Sequence, residues 1–182
     1  MPWSNAQGMQ SKQFTCGHCG NLVAASVGFP HQSGREHVYL CPHCDKPTYF
    51  NANQVPLPTV AFGNDVQHLP PDIETLYKEA RRCTSASAYT ASVLLSRKLL
   101  MNIAVAQGAE AGKPFIAYVE YLAANGYVPP NGKGWVDHIR KKGNEATHEI
   151  IFMSERDAQE LIAFAEMLLK FIYEFPSKIP PP

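Results

Sequence analysis

Four cysteines near the start of the chain have the types and spacing that bind a metal ion. Cys16 and Cys19 form one C-x-x-C pair, Cys41 and Cys44 form another, and 21 residues separate the pairs. Each pair makes a tight turn that directs two thiolates at one ion, and two such turns on neighbouring β-hairpins complete a tetrahedron. We therefore predict one structural zinc ion per chain, bound by these four cysteines.

Three alternatives to structural zinc are free thiols, catalytic zinc and a redox-active C-x-x-C. Free thiols are disfavoured because a segment of about 50 residues with few large aliphatic side chains needs a staple to fold. Four thiolates close the coordination shell, whereas catalytic zinc keeps one position open.

His18 and His43 lie within the pairs and are interpreted as turn residues. Gly20 and Asp45 follow the pairs, where a positive φ is expected.

A second group of residues, Arg140, Asn144 and His148, could carry out phosphodiester chemistry. On an unbroken helix their i, i+4, i+8 spacing places them on one slanted stripe. An imidazole can move a proton near neutral pH, and a guanidinium can hold a phosphate through two hydrogen bonds. In RNA the 2′-hydroxyl would be the nucleophile, so no metal is required. The alternative is a structural polar network with a neighbouring helix.

Charge gives only local support for nucleic-acid binding. Sixteen basic and sixteen acidic residues leave no net charge, so any such binding must depend on a local patch. The densest positive charge surrounds Asp137 and gives a local charge of +3. This patch is the candidate RNA or DNA surface and consists of Lys133, Arg140, Lys141 and Lys142.

Composition indicates a globular protein without a membrane span. The chain has 182 residues, of which 45% are hydrophobic and 18% are charged. A disordered chain would have fewer aromatic and more charged residues, and a membrane span needs about 20 apolar residues. Since no secretory signal is visible in residues 1–14, we expect a cytoplasmic protein.

Cys83 stands apart from the pairs and is interpreted as a small buried hydrophobe.

Composition also changes near residue 55 and predicts two unlike parts. Residues 1–55 carry the paired cysteines and the β-prone runs Leu22–Val27, His37–Leu40 and Thr48–Phe50. Residues 56–69 are rich in turn-forming types and are predicted to be a linker. Residues 70–176 are predicted to form a helical bundle, followed by a tail at 177–182.

Apolar periodicity predicts four to five helices in the second part. They begin near Pro71, Ala88, Pro114, Trp135 and Ser154. The apolar side of the second helix is predicted to contain Ala91, Leu94, Leu95, Leu99 and Ile103. A variant of the capping box opens the last helix, Phe164, Phe171 and Phe175 widen its apolar stripe, and Pro176 is predicted to end it.

Short motifs in a consistent order resemble the bacterial family called domain of unknown function 4145. They extend over roughly 110 residues, and Arg-x-x-Gly-Asn-x-x-x-His is the most specific. A zinc ribbon ahead of such a domain resembles a common arrangement in the family. The matching residues are Leu69-Pro70, Asp72-Ile73, Tyr77, Glu79-Ala80, Arg97, Leu99-Leu100, Ile139-Arg140, Gly143-Asn144, His148, Asp157-Ala158, Tyr173 and Pro176.

The family is similar to the HEPN helical superfamily, whose bundles of four or five helices often dimerise. The resemblance implies either a metal-independent ribonuclease or a non-catalytic RNA-binding or scaffold domain. The superfamily motif of Arg, four to six residues and His implies Arg140 and His148 as catalytic residues, with Asn144 as their polar neighbour. Seven residues separate this pair here, and i+8 on a straight helix is turned about 80° from alignment, so catalysis requires a distortion near Gly143.

We therefore expect a chain that is α+β by segment, with a small N-terminal β zinc ribbon followed by an all-α HEPN-like bundle. The expected function is a nucleic-acid-associated or protein-interaction module of a bacterial defence- or toxin-type system. The bundle is expected to form a homodimer, and the ribbon is expected to bind protein partners. The alternative is a metal-independent endoribonuclease that uses Arg140 and His148 at a dimer cleft.

Overall fold

The structure is a computed structural model that describes residues 3–129, 132, 134–137, 139 and 152–178. The chain divides into two compact units, Met1–Ala61 and Phe62–Pro182, and each is described by itself. The stripe of Arg140, Asn144 and His148 lies outside the described residues, as do Lys133, Lys141 and Lys142.

The first unit is an antiparallel sheet with the strand order β1-β2-β3-β4-β5. Three strands contain the predicted β-prone runs and confirm a β segment at the start of the chain. The edge strands β1 and β5 were not predicted, because β1 is largely polar and β5 has only two residues. The strands are β1 Gln7–Thr15, β2 Leu22–Pro30, β3 His37–Leu40, β4 Pro47–Phe50 and β5 Pro56–Leu57.

Three aromatic rings pack against one another in the small core of this unit. Phe14 lies 5.1 Å from Phe50 and 6.3 Å from Tyr39, between ring centroids, and Tyr39 lies 5.7 Å from Phe50. Cys16 and Cys41 belong to the same buried cluster. The cysteine pairs therefore lie against the core. Because this core is small, the fold of the unit depends on the cysteine cluster as well.

The second unit is a helical bundle around one hydrophobic core. Its helices are α1 Pro71–Ser85, α2 Tyr89–Ala106, α3 Phe115–Ala124 and α4 Glu155–Leu169. A π-helical turn, Lys170–Glu174, joins α4 to the short helix α5, Phe175–Ser177, and residues 134–137 and 139 are also helical. The prediction of a chain that is α+β by segment is confirmed. The core includes Leu99, Leu100, Ile103, Val119, Leu122, Ile162 and Leu168.

The buried face of α2 differs from the prediction. Leu94 is 53% exposed and Ala91 is also exposed, whereas Ser92 and Ser96 are fully buried. Small side chains let neighbouring helices approach closely, and the Ser92 hydroxyl donates a hydrogen bond to the carbonyl of Ala80 on α1 at 2.9 Å. The close packing of α1 and α2 therefore selects serines for positions that a hydropathy pattern assigns to solvent.

The last helix starts as predicted but ends differently. Ser154 and Asp157 form a reciprocal capping box, which confirms the predicted start. Pro176 does not end the helix, because it lies in the first turn of α5, where its missing N–H has no cost. Phe171 lies within the π-helical turn and Phe175 follows it, and they are 47% and 51% exposed instead of widening the apolar stripe.

The predicted linker, residues 56–69, is divided between the two units. Pro56 pairs with Phe50 at the edge of the sheet, whereas Phe62 begins the helical unit. Arg81 on α1 donates hydrogen bonds to the carbonyls of Phe62, at 3.0 Å, and Gly63, at 2.7 Å. The segment after Ala61 is therefore anchored to the bundle.

Glu166 on α4 holds the same segment from the other side. Its carboxylate accepts hydrogen bonds from the backbone N–H of Asn64 at 2.8 Å and from the Asn64 side chain at 2.9 Å. Lys170 pairs with the same carboxylate. Burial favours the neutral acid, but the hydrogen bonds from Lys170 and Asn64 outweigh it and hold the pKa of Glu166 below its ordinary value.

The lowered pKa makes Glu166 a source of pH-dependent stability. Because the folded pKa lies below the unfolded value of about 4.3, the contribution is present above that value and is lost as the pH falls through the folded pKa. Glu166→Gln should lower the free energy of unfolding by about 1–3 kcal/mol at pH 7 and flatten its dependence on pH below about 5. Urea unfolding monitored by circular dichroism measures both effects.

The matched control for this experiment is Glu79→Gln, which changes an exposed carboxylate on α1. It should leave the free energy of unfolding within about 0.5 kcal/mol of the parent. Equal effects of the two substitutions would contradict the anchoring role of Glu166.

Candidate metal centre

The two C-x-x-C pairs form turns of the same geometry. In the first turn, the Gly20 N–H donates to the Cys16 carbonyl at 2.8 Å, and the Cys16 N–H donates to the Asn21 carbonyl at 2.9 Å. A matching pair of bonds closes the second turn, with Asp45 donating to Cys41 at 2.9 Å and Cys41 donating to Lys46 at 3.0 Å. Each pair is therefore presented by the same six-residue backbone loop.

A positive φ follows each pair, as predicted. Gly20 has a φ of 71° and Asp45 has a φ of 58°. Glycine adopts this conformation without steric cost, and aspartate tolerates it better than most residues. The left-handed residue turns the chain back so that both sulfurs of a pair face the same point.

The four sulfurs lie together at a spacing that fits one tetrahedral ion. All four lie within 4.8 Å of one another, and the distances from Cys16 to Cys44 and from Cys19 to Cys41 are both 3.8 Å, between Sγ atoms. A tetrahedron with metal–sulfur bonds of about 2.3 Å has edges of about 3.8 Å. The cysteines are free thiols, not disulfides, and could hold a metal ion.

Without a bound cation, three of the four thiols have shifted pKa values. Burial raises the pKa of Cys16, and it raises the pKa of Cys44 to about 12. Burial also opposes ionisation of Cys19, but hydrogen bonds from the backbone and side chain of Asn21 lower its pKa to about 6. Four neighbouring thiolates at neutral pH therefore require a cation, whose binding releases protons.

The two histidines inside the pairs have partners other than the sulfurs. The ring Nε2 of His18 donates to the Pro47 carbonyl at 2.9 Å. The side chain of Asn21 donates to Nδ1 of His43 at 3.2 Å. Sequence reasoning missed Asn21, although it follows Gly20 as Lys46 follows Asp45 and closes the equivalent turn. Its amide holds the His43 ring and stabilises the Cys19 thiolate.

Gly17 allows the segment that follows β5 to pass close to the first turn. A Cβ atom at this position would lie 2.2 Å from the carbonyl oxygen of Pro58 and 2.5 Å from that of Thr59. Both oxygens belong to the backbone, so a side chain at Gly17 would displace the segment after β5. Short-range sequence patterns do not reveal this requirement, because it depends on residues 41 positions away.

Cys83 lies on α1 and is half-buried. Burial, together with the charge of Glu79, raises the pKa of its thiol, so this cysteine stays protonated at neutral pH. Across residues 3–129, 132, 134–137, 139 and 152–178, the four paired cysteines form the one cluster of three or more potential ligands. No helix in those ranges is long and apolar enough to cross a membrane.

Comparison with protein families gives a match in the second unit. The family model described as a domain of unknown function (DUF4145) matches residues 78–179, which is more than half of the chain. No curated protein and no solved structure matches the chain. The matched range covers most of the helical unit and excludes the cysteine pairs.

Loss of one sulfur should remove the metal ion and unfold the first unit alone. Binding of this kind supplies on the order of 10 kcal/mol of apparent free energy, which the three-ring core cannot replace. Cys16→Ser should therefore reduce the metal content from one ion per chain to near zero. It should also remove the β-sheet contribution to the circular dichroism spectrum. The helical circular dichroism signal should persist, because the second unit has its own core.

The control is Cys83→Ser, which removes a thiol outside the cluster and should leave the metal content unchanged. Elemental analysis of protein purified without chelator provides the measurement. A metal content well below one per chain in the parent protein would contradict the assignment.

Proposed function

The chain belongs to the family described as a domain of unknown function (DUF4145), and because this description assigns no activity, we propose a function from the residues themselves. The chain is a non-catalytic interaction protein in which a structural zinc ion holds a sheet that binds a protein partner. The apolar row on one face of the sheet is the observation that carries this proposal.

Zinc is the ion that best suits the cluster. Soft thiolate ligands in a tetrahedral arrangement favour zinc or iron, and zinc needs no redox partner. Four cysteines fill the tetrahedron and leave no coordination position for a substrate or for water. The ion therefore has a structural role, and it supports function by fixing the strands.

The apolar row crosses four strands in direct register. Phe29 pairs with Val38, Val38 pairs with Tyr49, and Tyr49 pairs with Leu57. Directly paired residues face the same side of a sheet, so the four side chains are neighbours. Successive residues of a strand face opposite sides, so Val38 and Tyr49 lie opposite the core residues Tyr39 and Phe50.

Trp3 extends the row beyond Phe29. The two rings meet edge to face, with centroids 6.3 Å apart, and the indole N–H donates to the carbonyl of Asp45 at 2.8 Å. Trp3, Tyr49 and Leu57 are 37%, 36% and 39% exposed. Contiguous exposed apolar surface of this kind is typical of interaction sites.

The charges of the first unit favour a protein partner over a nucleic acid. Residues 1–61 contain three basic residues, Lys12, Arg35 and Lys46, and two acidic ones. Binding to a phosphate backbone depends on neutralising several phosphates with lysine and arginine. An apolar, nearly uncharged protein surface therefore complements the row better than a polyanion does.

The proposal extends to the helical unit and to the biological setting. We propose a HEPN-like bundle that forms a homodimer, and a role in a bacterial defence- or toxin-type system. The described helices around one core and the motifs of Arg140 and His148 support the HEPN-like assignment. Light scattering over a concentration series tests the homodimer.

Photo-crosslinking from the row tests the proposed partner. A photoreactive residue at Tyr49 should crosslink a discrete protein in cells, whereas one at Leu22, which is exposed outside the row, should not. With that protein purified, Tyr49→Lys should weaken binding at least about tenfold, because binding of the partner would then bury a charged ammonium group. Leu22→Lys should leave the affinity within about twofold, and both variants should retain zinc. Equal losses of affinity, or crosslinks to RNA alone, would contradict the proposal.

A second candidate function, the metal-independent endoribonuclease, is favoured by the Arg140 and His148 motif and by the adjacent basic patch. A catalytic His148 predicts that His148→Ala abolishes cleavage of mixed RNA in chelator without lowering the melting temperature. A structural His148 predicts no cleavage by the parent and a loss of about 1–3 kcal/mol of stability in the variant. His31→Ala changes an exposed histidine in the first unit and is the control.

A further inference from the structure

A pocket of about 540 Å³ opens on the first unit where β1 leaves its regular pairing with β2. Gly8 pairs with Val27 and Lys12 pairs with Ala25, so β1 advances four residues while β2 advances two. The hydroxyl of Tyr39 donates to the Gln10 carbonyl at 3.0 Å and fixes the path of this bulge. The pocket is lined by residues 7–12 together with Pro30, His37, Tyr39 and Gln54.

The pocket contains a positive charge that no carboxylate neutralises. The Lys12 ammonium donates to the side-chain oxygen of Gln54 at 3.0 Å and lies 4.7 Å from the centroid of the Phe50 ring. No aspartate or glutamate lines the pocket, and Lys12 has no ion pair in the part of the chain that the structure describes. An ammonium beside an aromatic ring has lost part of its hydration, which strengthens its attraction for an anion.

His37 supplies a ring nitrogen without a hydrogen-bond partner among the described residues. It lines the pocket beside Tyr39, with ring centroids 6.1 Å apart, and its Nδ1 is buried with no hydrogen bond among the described residues. A buried ring nitrogen in this state has a free-energy cost in the folded protein. Lys12 and His37 therefore place in the same pocket a cation without a carboxylate partner and a histidine whose Nδ1 has no hydrogen bond among the described residues.

We propose that this pocket binds a single carboxylate group, with Lys12 as the charged contact and His37 as a hydrogen-bonding contact. One ammonium matches the single charge of a carboxylate, whereas a phosphate monoester carries a charge of nearly two at neutral pH. Gln7, Gln10 and Ser11 in the lining provide neutral donors, and Met9 provides apolar contact. The site lies on the face opposite the apolar row, so it does not depend on the proposed function.

Nuclear magnetic resonance titration of the full-length, metal-loaded protein tests this site. The probes are glutarate, an acetylated and amidated hexaglutamate peptide, uncharged glutaramide, and inorganic phosphate. Both carboxylate probes should shift the signals of residues 8–12, His37 and Gln54, and glutaramide should not. Equal affinities for glutarate and the peptide would support a free small acid as ligand, and tighter binding of the peptide would support a carboxylate on a protein segment.

Two substitutions and a control examine the charge. Lys12→Gln should weaken binding at least about tenfold, and Lys46→Gln, the same change at an exposed lysine, should leave it within about twofold. Gln54→Glu places a carboxylate beside Lys12 and should abolish binding even if Lys12→Gln fails to fold.

Three results would overturn the proposal. They are an absence of shifts with both carboxylates, tighter binding of phosphate than of either carboxylate, and equal effects of Lys12→Gln and Lys46→Gln. Metal content and signal dispersion establish that each variant is folded before its affinity is compared.

Discussion

Bringing four thiols to one point is the constraint on which the first unit depends. The sulfurs stand about 4 Å apart, and four negative charges at that distance repel one another unless a cation lies between them. A divalent ion bound between the sulfurs would replace this repulsion with attraction. Both turns are closed by backbone hydrogen bonds that leave the sulfurs facing inward, so the loop geometry is prepared for the ion. The three aromatic rings pack in the same buried cluster as Cys16 and Cys41 and exclude water from them.

This arrangement leaves most of the sheet free for other uses. A β-sheet of this size normally needs one of its faces for a core of its own, and here the metal cluster and three rings supply that core. The opposite face carries the apolar row, and the bulge of β1 opens the polar pocket. An inward-pointing lysine and a bulge are also devices that keep an edge strand from pairing with another chain. The features that protect β1 are thus the ones that create the Lys12 pocket.

Local patterns predicted those parts of the molecule that local chemistry determines. The C-x-x-C spacing predicted both turns, including the positive φ at Gly20 and Asp45, and the Ser154 capping box predicted the start of α4. The failures arise where distant residues decide. Close approach of α1 buries Ser92 in place of Leu94, and Phe171 is exposed at the point where α4 gives way to the π-helical turn. Asn64 and Glu166 are 102 positions apart, so no short motif could have paired them.

Reciprocity of binding follows from the way the metal ion orders the strands. Cys16 follows β1 and Cys41 follows β3, so a bound ion would order β1 and β3. Both strands line the pocket, and β3 also carries Val38 of the row. A partner that binds only the ordered sheet must raise the affinity for the metal by the same factor by which the metal raises the affinity for the partner. The helical unit has a separate core and stays outside this linkage. Under the proposed function, depletion of the metal would therefore release the proposed partner from the sheet while the bundle remained folded.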